Sequence, residues 1–215
     1  MGHVRLHFWL VFRHSWTPAS RALKMRLLRC AVKRSAVHPL VHVIILRDMI
    51  ESDIADYVRW FTVDTDWMNY DAPWETNPSS YNEELNSWTE YYQSVKDLTE
   101  DEIRWKFEIE VDGHHIGWVS RYFDLEYLDN SNNIPAIGID IPEMSYREHG
   151  IGTEALRMFI DYLKKAGYER FYIQTWSGNK RMIRVAEKLG FSVICCKKDY
   201  RKVSNKSFDA LTLML

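Results

Sequence analysis

The sequence predicts one α/β domain over residues 43–215, and three observations carry that expectation. Two apolar-alternating segments flank Asp112-Gly113, which reads as a two-residue hairpin turn. Two stretches with apolar residues at helical spacing each end in a glycine, Gly167 and Gly190, and each is followed by a strand-like run. A chain of 215 residues, 46% hydrophobic and 27% charged, can bury one substantial core.

The elements follow in chain order. Residues 43–46 form an apolar run, after which Ser52 is placed to cap a helix carrying Ile54, Tyr57, Val58 and Phe61 on one stripe. Residues 64–80 hold Pro73, Asn77 and Pro78 and lack either period, so they read as a loop before a helix over 82–95. In residues 104–111, Trp105, Phe107, Ile109 and Val111 alternate on one face of a strand, which the hairpin returns as 115–123. A short strand over 136–141 ends at Pro142. The next helix buries Ile151, Ala155, Phe159 and Leu163, with Leu156 and Ile160 beside them. A strand over 170–176 precedes a helix opened by Asn179, and strands over 191–196 and 208–214 close the chain.

Charge is distributed unevenly. Nine of the 28 Lys and Arg residues and none of the 30 acids lie in residues 1–47, leaving the remainder with an excess of about eleven acids. Residues 1–42 are therefore expected to be a basic extension outside the fold. An upstream start or non-native extension, an Arg-rich targeting peptide, and a basic arm for nucleic acid or a membrane surface all fit such a segment. Nothing downstream supports nucleic-acid recognition, and no run of about 18 apolar residues marks a membrane span. Cys30, Cys195 and Cys196 cannot all pair within one chain, which suits reduced thiols in the cytoplasm. His114-His115 has no carboxylate or cysteine at ligand spacing, so no metal site is expected.

The most informative segment is Arg147-Glu148-His149-Gly150-Ile151-Gly152, set between a strand and a helix. Helix-start amides lack intrahelical partners and the macrodipole reinforces them, so such a start favours an anion; glycines at 150 and 152 keep Cβ atoms out of its way. No Lys-Ser/Thr pair and no G-x-G-x-x-G accompany it, which argues against nucleotide loops of those kinds.

The R-x-x-G-x-G run followed by a helix resembles the acyl-CoA loop of the GNAT superfamily of N-acetyltransferases. The string Trp176-Ser177-Gly178-Asn179 and the later Ala186-Glu187-Lys188-Leu189-Gly190-Phe191 resemble that family's second cofactor-side element in order and spacing. The resemblance covers residues 43–215 and is closest to the ribosomal-protein alanine acetyltransferase-like branch. It implies a mixed, mostly antiparallel central sheet with a splayed cofactor strand and flanking helices. It also implies acetyl-CoA as co-substrate without a metal, the backbone of Ile139 and Ile141 along the pantetheine arm, and Arg147, Glu148, His149, Gly150, Ile151, Gly152 and Thr153 around the pyrophosphate. Asn179 is read both as a helix cap and as a pantetheine contact. Lys180, Arg181 and Arg184 fit either the 3′-phosphate or a solvated face.

Direct transfer from acetyl-CoA to a primary amine in a ternary complex needs the amine neutral. At pH 7 that costs roughly 4 to 5 kcal/mol for a lysine-like amine but only about 1 for an α-amine. Ala136 stands where many relatives carry a carboxylate, which leaves Asp140 as the nearest candidate base, with a water relay as the alternative. Ala186 stands where many carry an acid tyrosine, and Tyr200 is the candidate substitute. Loop residues Asp64, Asp66, Asp71 and Glu75 with Trp67, Tyr70 and Trp74 suit a cationic acceptor, on a small molecule or a peptide, or else form a solvated loop anchored by its aromatics. A homodimer is compatible with this reading. Two other functions compete with it: a CoA-binding regulatory module without turnover, and a protein using the same loop for ATP or NAD.

Overall fold

The computed structural model describes residues 42–74, 79–130 and 132–215, together with the backbone of 28–32. Among the described residues one sheet has eight strands: β1 (Leu28–Val32), β2 (His42–Arg47), β3 (Lys106–Val111), β4 (His114–Tyr122), β5 (Ala136–Asp140), β6 (Tyr172–Trp176), β7 (Ser192–Val203) and β8 (Lys206–Met214). They lie in the order β1-β2-β3-β4-β5-β6-β8-β7, and every neighbouring pair is antiparallel except β5 with β6. The mixed, mostly antiparallel sheet is as expected. The segment expected to lie outside the fold contributes β1, which pairs along its length with β2; the rest of residues 1–41 lies outside the described set.

The helices are α1 (Asp53–Thr62), the single turn α2 (Met68–Asp71), α3 (Tyr81–Val95), α4 (Ile151–Lys165) and α5 (Lys180–Lys188). Ser52, expected as a cap, makes no side-chain capping bond. The amides of Asp53 and Ile54 are instead satisfied by the Ile50 and Glu51 carbonyls, while the Asp53 carboxylate accepts from the Ile50 amide at 2.9 Å and from both terminal nitrogens of Arg47 at 2.6 and 2.8 Å. At α3 the Ser80 hydroxyl accepts from the Glu83 amide while the Glu83 carboxylate accepts from the Ser80 amide, a reciprocal box that fixes where that helix begins.

Two cores lie on opposite faces of the sheet. The predicted stripe Ile151, Ala155, Phe159 and Leu163 of α4 packs with Phe107, Ile109 and Val111 of β3 and with Ile44, Leu46 and Ile137. Each such large apolar side chain contributes roughly 1.5–3 kcal/mol on burial. On the other face Tyr57, Val58 and Trp60 of α1 meet Trp88 of α3 and Trp118 of β4. No helix among the described residues is long and apolar enough to cross a membrane.

Candidate active site

The sheet opens where its single parallel contact ends. β5 pairs along its length with β4, and β6 with β8, but β5 and β6 meet only at Ala136 and Tyr172. From that point the two strands part, so the Asp140 end of β5 and the Trp176 end of β6 stand on either side of a V-shaped gap. The start of α4 and the start of α5 both border this gap.

The loop from β5 to α4 is held by its own arginine. Arg147 donates through Nε to the Ile141 carbonyl at 2.7 Å and through Nη2 to the Pro142 carbonyl at 3.2 Å, while its Nη1 is buried with no hydrogen-bond partner. Glu148 has φ +64° and pairs with Arg181 at 2.9 Å. Gly150 has φ +82°, and no side chain caps the helix that follows. The amides of Ile151, Gly152 and Thr153, with His149 just before them, thus form an uncapped helix start whose backbone turn requires the left-handed conformation that glycine adopts freely. A Cβ at Gly150 would meet nothing within 4 Å, so the space in front of the loop is open. At Gly152 a Cβ would make ordinary contact with the side-chain ends of Ile141 and Ile139, at 3.4 and 3.6 Å.

Asn179 does two things at once. Its Oδ1 accepts from the Met182 amide at 3.0 Å, capping α5, and its Nδ2 donates to the Tyr70 carbonyl at 2.8 Å. Trp176 Nε1 donates to the same carbonyl at 3.0 Å. Two guanidiniums lie near the Tyr70 ring, with Arg181 4.5 Å and Arg147 5.5 Å from its centroid. Arg181 Nη1, like Arg147 Nη1, is buried without a partner. Two buried guanidinium donors unused at an uncapped helix start fit a diphosphate.

Asp140 sits half-buried at the mouth of the gap, beside α2. Burial and the neighbouring Asp71 push its carboxyl well above the usual range, while Lys106 and Arg147 pull the other way. Its carbonyl comes so close to β4 that a Cβ at Gly117 would lie 2.0 Å from it. The residues of the acidic loop divide. Trp67 is a core anchor, buried and donating to the Trp60 carbonyl at 2.9 Å, and Asp64 pairs with Arg59; Tyr70 and Asp71 face the gap, and Trp74 meets Trp176 edge-on at 5.8 Å. Glu75 lies outside the described residues. Tyr200 is 42% exposed on β7 and contacts Tyr127, Arg201 and Lys197 rather than β5, so the structure does not bring it together with Asp140.

Sequence reasoning missed a buried polar network behind Asp140. His115, whose pair was read as having no carboxylate partner, meets Asp56 at 3.1 Å, Glu108 at 3.1 Å and Asp53 at 3.4 Å. Burial alone would lower its proton affinity, but its hydrogen bonds to the Asp56 and Glu108 carboxylates push it up to about 9. Asp53, Asp56 and His115 could together face a cation, yet each is engaged in an ion pair. The signal available beforehand was the charged half of the β3 alternation, Lys106 and Glu108, which is buried beneath α1 and α3.

Comparison with known proteins gives the family-level match. A family model described as an acetyltransferase (GNAT) domain matches residues 44–192. Among solved structures, RimJ of Mycobacterium smegmatis in complex with CoA-disulfide aligns with TM-score 0.62 and 20% identity, over 80% of this chain and 81% of that one. RimL, a ribosomal L7/L12 α-N-protein acetyltransferase in complex with coenzyme A, aligns with TM-score 0.61 and 18% identity over 80% and 93%. A ribosomal-protein-alanine N-acetyltransferase from Brucella melitensis aligns with TM-score 0.58 and 15% identity over 79% and 98%. A comparison with curated proteins found no match.

Proposed function

Because this chain belongs to the GNAT acetyltransferase family, we propose that it moves an acetyl group from acetyl-CoA to a primary amine by direct transfer in a ternary complex. The observation that carries the reading is the gap between β5 and β6, bordered on one side by an uncapped helix start and on the other by a carboxylate. Acetyl-CoA supplies an activated acyl carbon and a thiolate leaving group.

This chain's residues divide the remaining work. The amides of Ile151, Gly152 and Thr153, the turn at Arg147, Glu148, His149 and Gly150, and the free Nη1 donors of Arg147 and Arg181 hold the diphosphate. The backbone of Ile139 and Ile141 lines the pantetheine side, and Asn179 sets the far wall. Asp140 takes the amine proton: a carboxyl whose proton affinity is raised by burial and Asp71 is a stronger base than an exposed aspartate. Tyr70 and Asp71, both exposed, form an acidic and aromatic approach that attracts a cationic amine. An α-amine needs only about 1 kcal/mol to lose its proton at pH 7, so a peptide N-terminus suits one carboxylate base better than a lysine side chain does. Tyr200, which packs with Tyr127, Arg201 and Lys197, has no acid role in this scheme, and the thiolate, with a pKa near 8.5, leaves with a cost of about 2 kcal/mol. The setting is the cytoplasm, where acetyl-CoA and reduced thiols coexist.

The test is thiol release from acetyl-CoA with a panel of peptide and small-molecule amines, read together with intact mass of the acceptor. Acetylated product with one thiol released per acetyl supports the proposal. Saturable CoA binding with no release across the panel would overturn it in favour of a binding module.

A further inference from the structure

Gly138 stands in the middle of β5, where the backbone does not require a glycine. Its φ lies outside the left-handed region, and a Cβ there would make ordinary contacts, 3.7 Å from Ser120 Oγ and 3.9 Å from Tyr122 Cε1. Glycine inside a strand weakens it, and one that serves neither a bulge nor a bend marks a place where something else comes close to the backbone. The space beside Gly138 is the size of one Cβ, which is the size of a methyl group.

Strand register shows which face that space lies on. Ala136 stands opposite Tyr122, Gly138 opposite Ser120 and Asp140 opposite Trp118. Alternate residues of a strand share a face, so the hollow lies on the face that carries Asp140. Ser120, Tyr122, Gly138 and Asp140 are each half-buried, whereas Ala136, where β5 meets β6, is fully buried. The hollow is therefore accessible at Gly138 and closed at the vertex of the gap. What closes it is apolar: Ile134, Ala136 and Tyr172 form a buried cluster, and Tyr122 packs against it. On the β6 side, Gln174 is tied down by the Thr212 hydroxyl at 3.2 Å and the Glu126 amide at 3.1 Å.

The proposed function brings the cofactor past this hollow in one direction. With the diphosphate at the start of α4 and the pantetheine arm along Ile141 and then Ile139, the thioester end arrives at Gly138, two residues short of the vertex. We propose that the hollow at Gly138 receives the methyl of the acetyl group, and that Tyr122 is the residue that limits acyl length, its ring standing where the next carbons of a longer chain would go. The inference rests on that reading of the cofactor's path. A longer acyl group would have to displace a ring that packs against the vertex cluster. The walls offer an aromatic edge, a glycine and one small hydroxyl side chain, so the group they suit is short and uncharged.

The experiment measures dissociation constants of CoA, acetyl-CoA and butyryl-CoA by calorimetric titration of the full chain without amine. It is paired with kcat/KM for acetyl and butyryl transfer to a peptide amine, in wild type, Tyr122→Ala, Tyr122→Phe and Gly138→Ala. Wild type favours acetyl-CoA over butyryl-CoA by at least about tenfold in both readouts, as expected for added methylenes that the pocket does not fit. Tyr122→Ala removes most of that preference, and Tyr122→Phe, which keeps the ring, retains it. Gly138→Ala fills the hollow and weakens acetyl-CoA relative to CoA, while CoA itself binds as in wild type. A wild-type protein that accepts butyryl as readily as acetyl overturns the proposal, and so does a folded Tyr122→Ala with the wild-type preference. Should Tyr122→Ala not fold, Gly138→Ala decides, because its Cβ meets only ordinary contacts; an acetyl-CoA to CoA affinity ratio equal to wild type then overturns the proposal. If wild type binds acetyl-CoA but acetylates no amine, the acetyl-transfer reading fails while the affinity ratios still decide whether Tyr122 limits the acyl chain.

Discussion

Asn179 donates its side-chain amide to the backbone carbonyl of Tyr70 at 2.8 Å, so the start of α5 holds the loop that crosses the mouth of the β5–β6 gap. The same side chain caps α5 through its other atom, accepting from the Met182 amide at 3.0 Å. One residue therefore ties the start of α5 to the Tyr70 segment, the two sides of the gap that the proposed function assigns to cofactor and acceptor.

Two substitutions separate these roles. Asn179→Asp keeps a good cap but removes the donor to Tyr70, whereas Asn179→Ala removes both. Asn179→Ala lowers stability by about 1–2 kcal/mol in urea denaturation. Asn179→Asp stays within about 0.5 kcal/mol of wild type on the scale of ordinary cap exchanges, yet it raises KM for the amine as Asn179→Ala does. Equal KM values for Asn179→Asp and wild type would show that the Tyr70 loop is held by Trp176 alone.

Gly117 carries a second prediction, because a Cβ there would lie 2.0 Å from the Asp140 carbonyl and 2.9 Å from Ile141 Cα, both backbone atoms that cannot turn away. Gly117→Ala forces β5 from β4 at the end that bears Asp140. The expected loss of stability is about 1–3 kcal/mol, as for overpacking elsewhere, with a larger proportional fall in kcat than in CoA affinity. Thermal denaturation and CoA titration on one preparation check both parts.

Stability against pH follows from the network around His115, which faces Asp53 and Asp56 of α1 and Glu108 of β3. Burial opposes its charge, but hydrogen bonds to Asp56 and Glu108 push it up to about 9, above the 6.5 of the unfolded chain, so the folded state holds this proton more tightly. The stabilisation is complete below pH 6.5 and is lost as pH rises toward 9, on the order of 3 kcal/mol in all. Lys106 has the opposite sign: lowered to about 8 from 10.5, it returns stability between those values as the unfolded chain holds the proton longer. Urea midpoints therefore fall between pH 6.5 and 8 and level off above 8. His115→Gln lowers the midpoint at pH 6.5 and flattens the slope; a slope unchanged by that substitution would assign the pH dependence elsewhere.

The regular part of this architecture was legible because period determines which residues share a face. Phe107, Ile109 and Val111 and the stripe Ile151, Ala155, Phe159 and Leu163 fall in one core as their spacing required. Gly150 was legible for the same local reason, since a left-handed turn at a helix start is a property of one residue. What covers the opposite face of a strand is not written in its period. Lys106 and Glu108 look like a solvated face until α1 and α3 fold over them. The meeting of Asp71 with Asp140 depends on the path of a loop without periodicity, and β7 runs on to Val203, past the expected end at Cys196, through positions such as Asp199 that carry no glycine or proline to mark them. Asn179 was readable as a cap from its type, but its second bond, to Tyr70, joins residues 109 apart in the chain.

Asp140 and Asp71 give a final prediction in which two similar substitutions act in opposite directions. Burial and then the Asp71 charge raise the Asp140 carboxyl, so its ionised form appears only at a pH above the ordinary aspartate range. Asp71→Asn removes one like charge from an exposed position, which makes Asp140 easier to ionise and moves the ascending limb of kcat/KM to lower pH. Because a carboxyl of lower proton affinity is a weaker base, kcat on the plateau falls modestly, within about tenfold by Brønsted behaviour. On the proposed function Asp140→Asn removes the base, lowering kcat by about 100-fold to 10,000-fold and abolishing that limb, while CoA affinity, which that proposal assigns to the start of α4, stays as in wild type. Rate profiles from pH 5 to 9 with a peptide acceptor, paired with CoA titrations, test both. An Asp140→Asn enzyme that kept its ascending limb would move the base to a water held elsewhere in the gap, and an Asp71→Asn limb that moved to higher pH would reverse the assigned sign of their interaction.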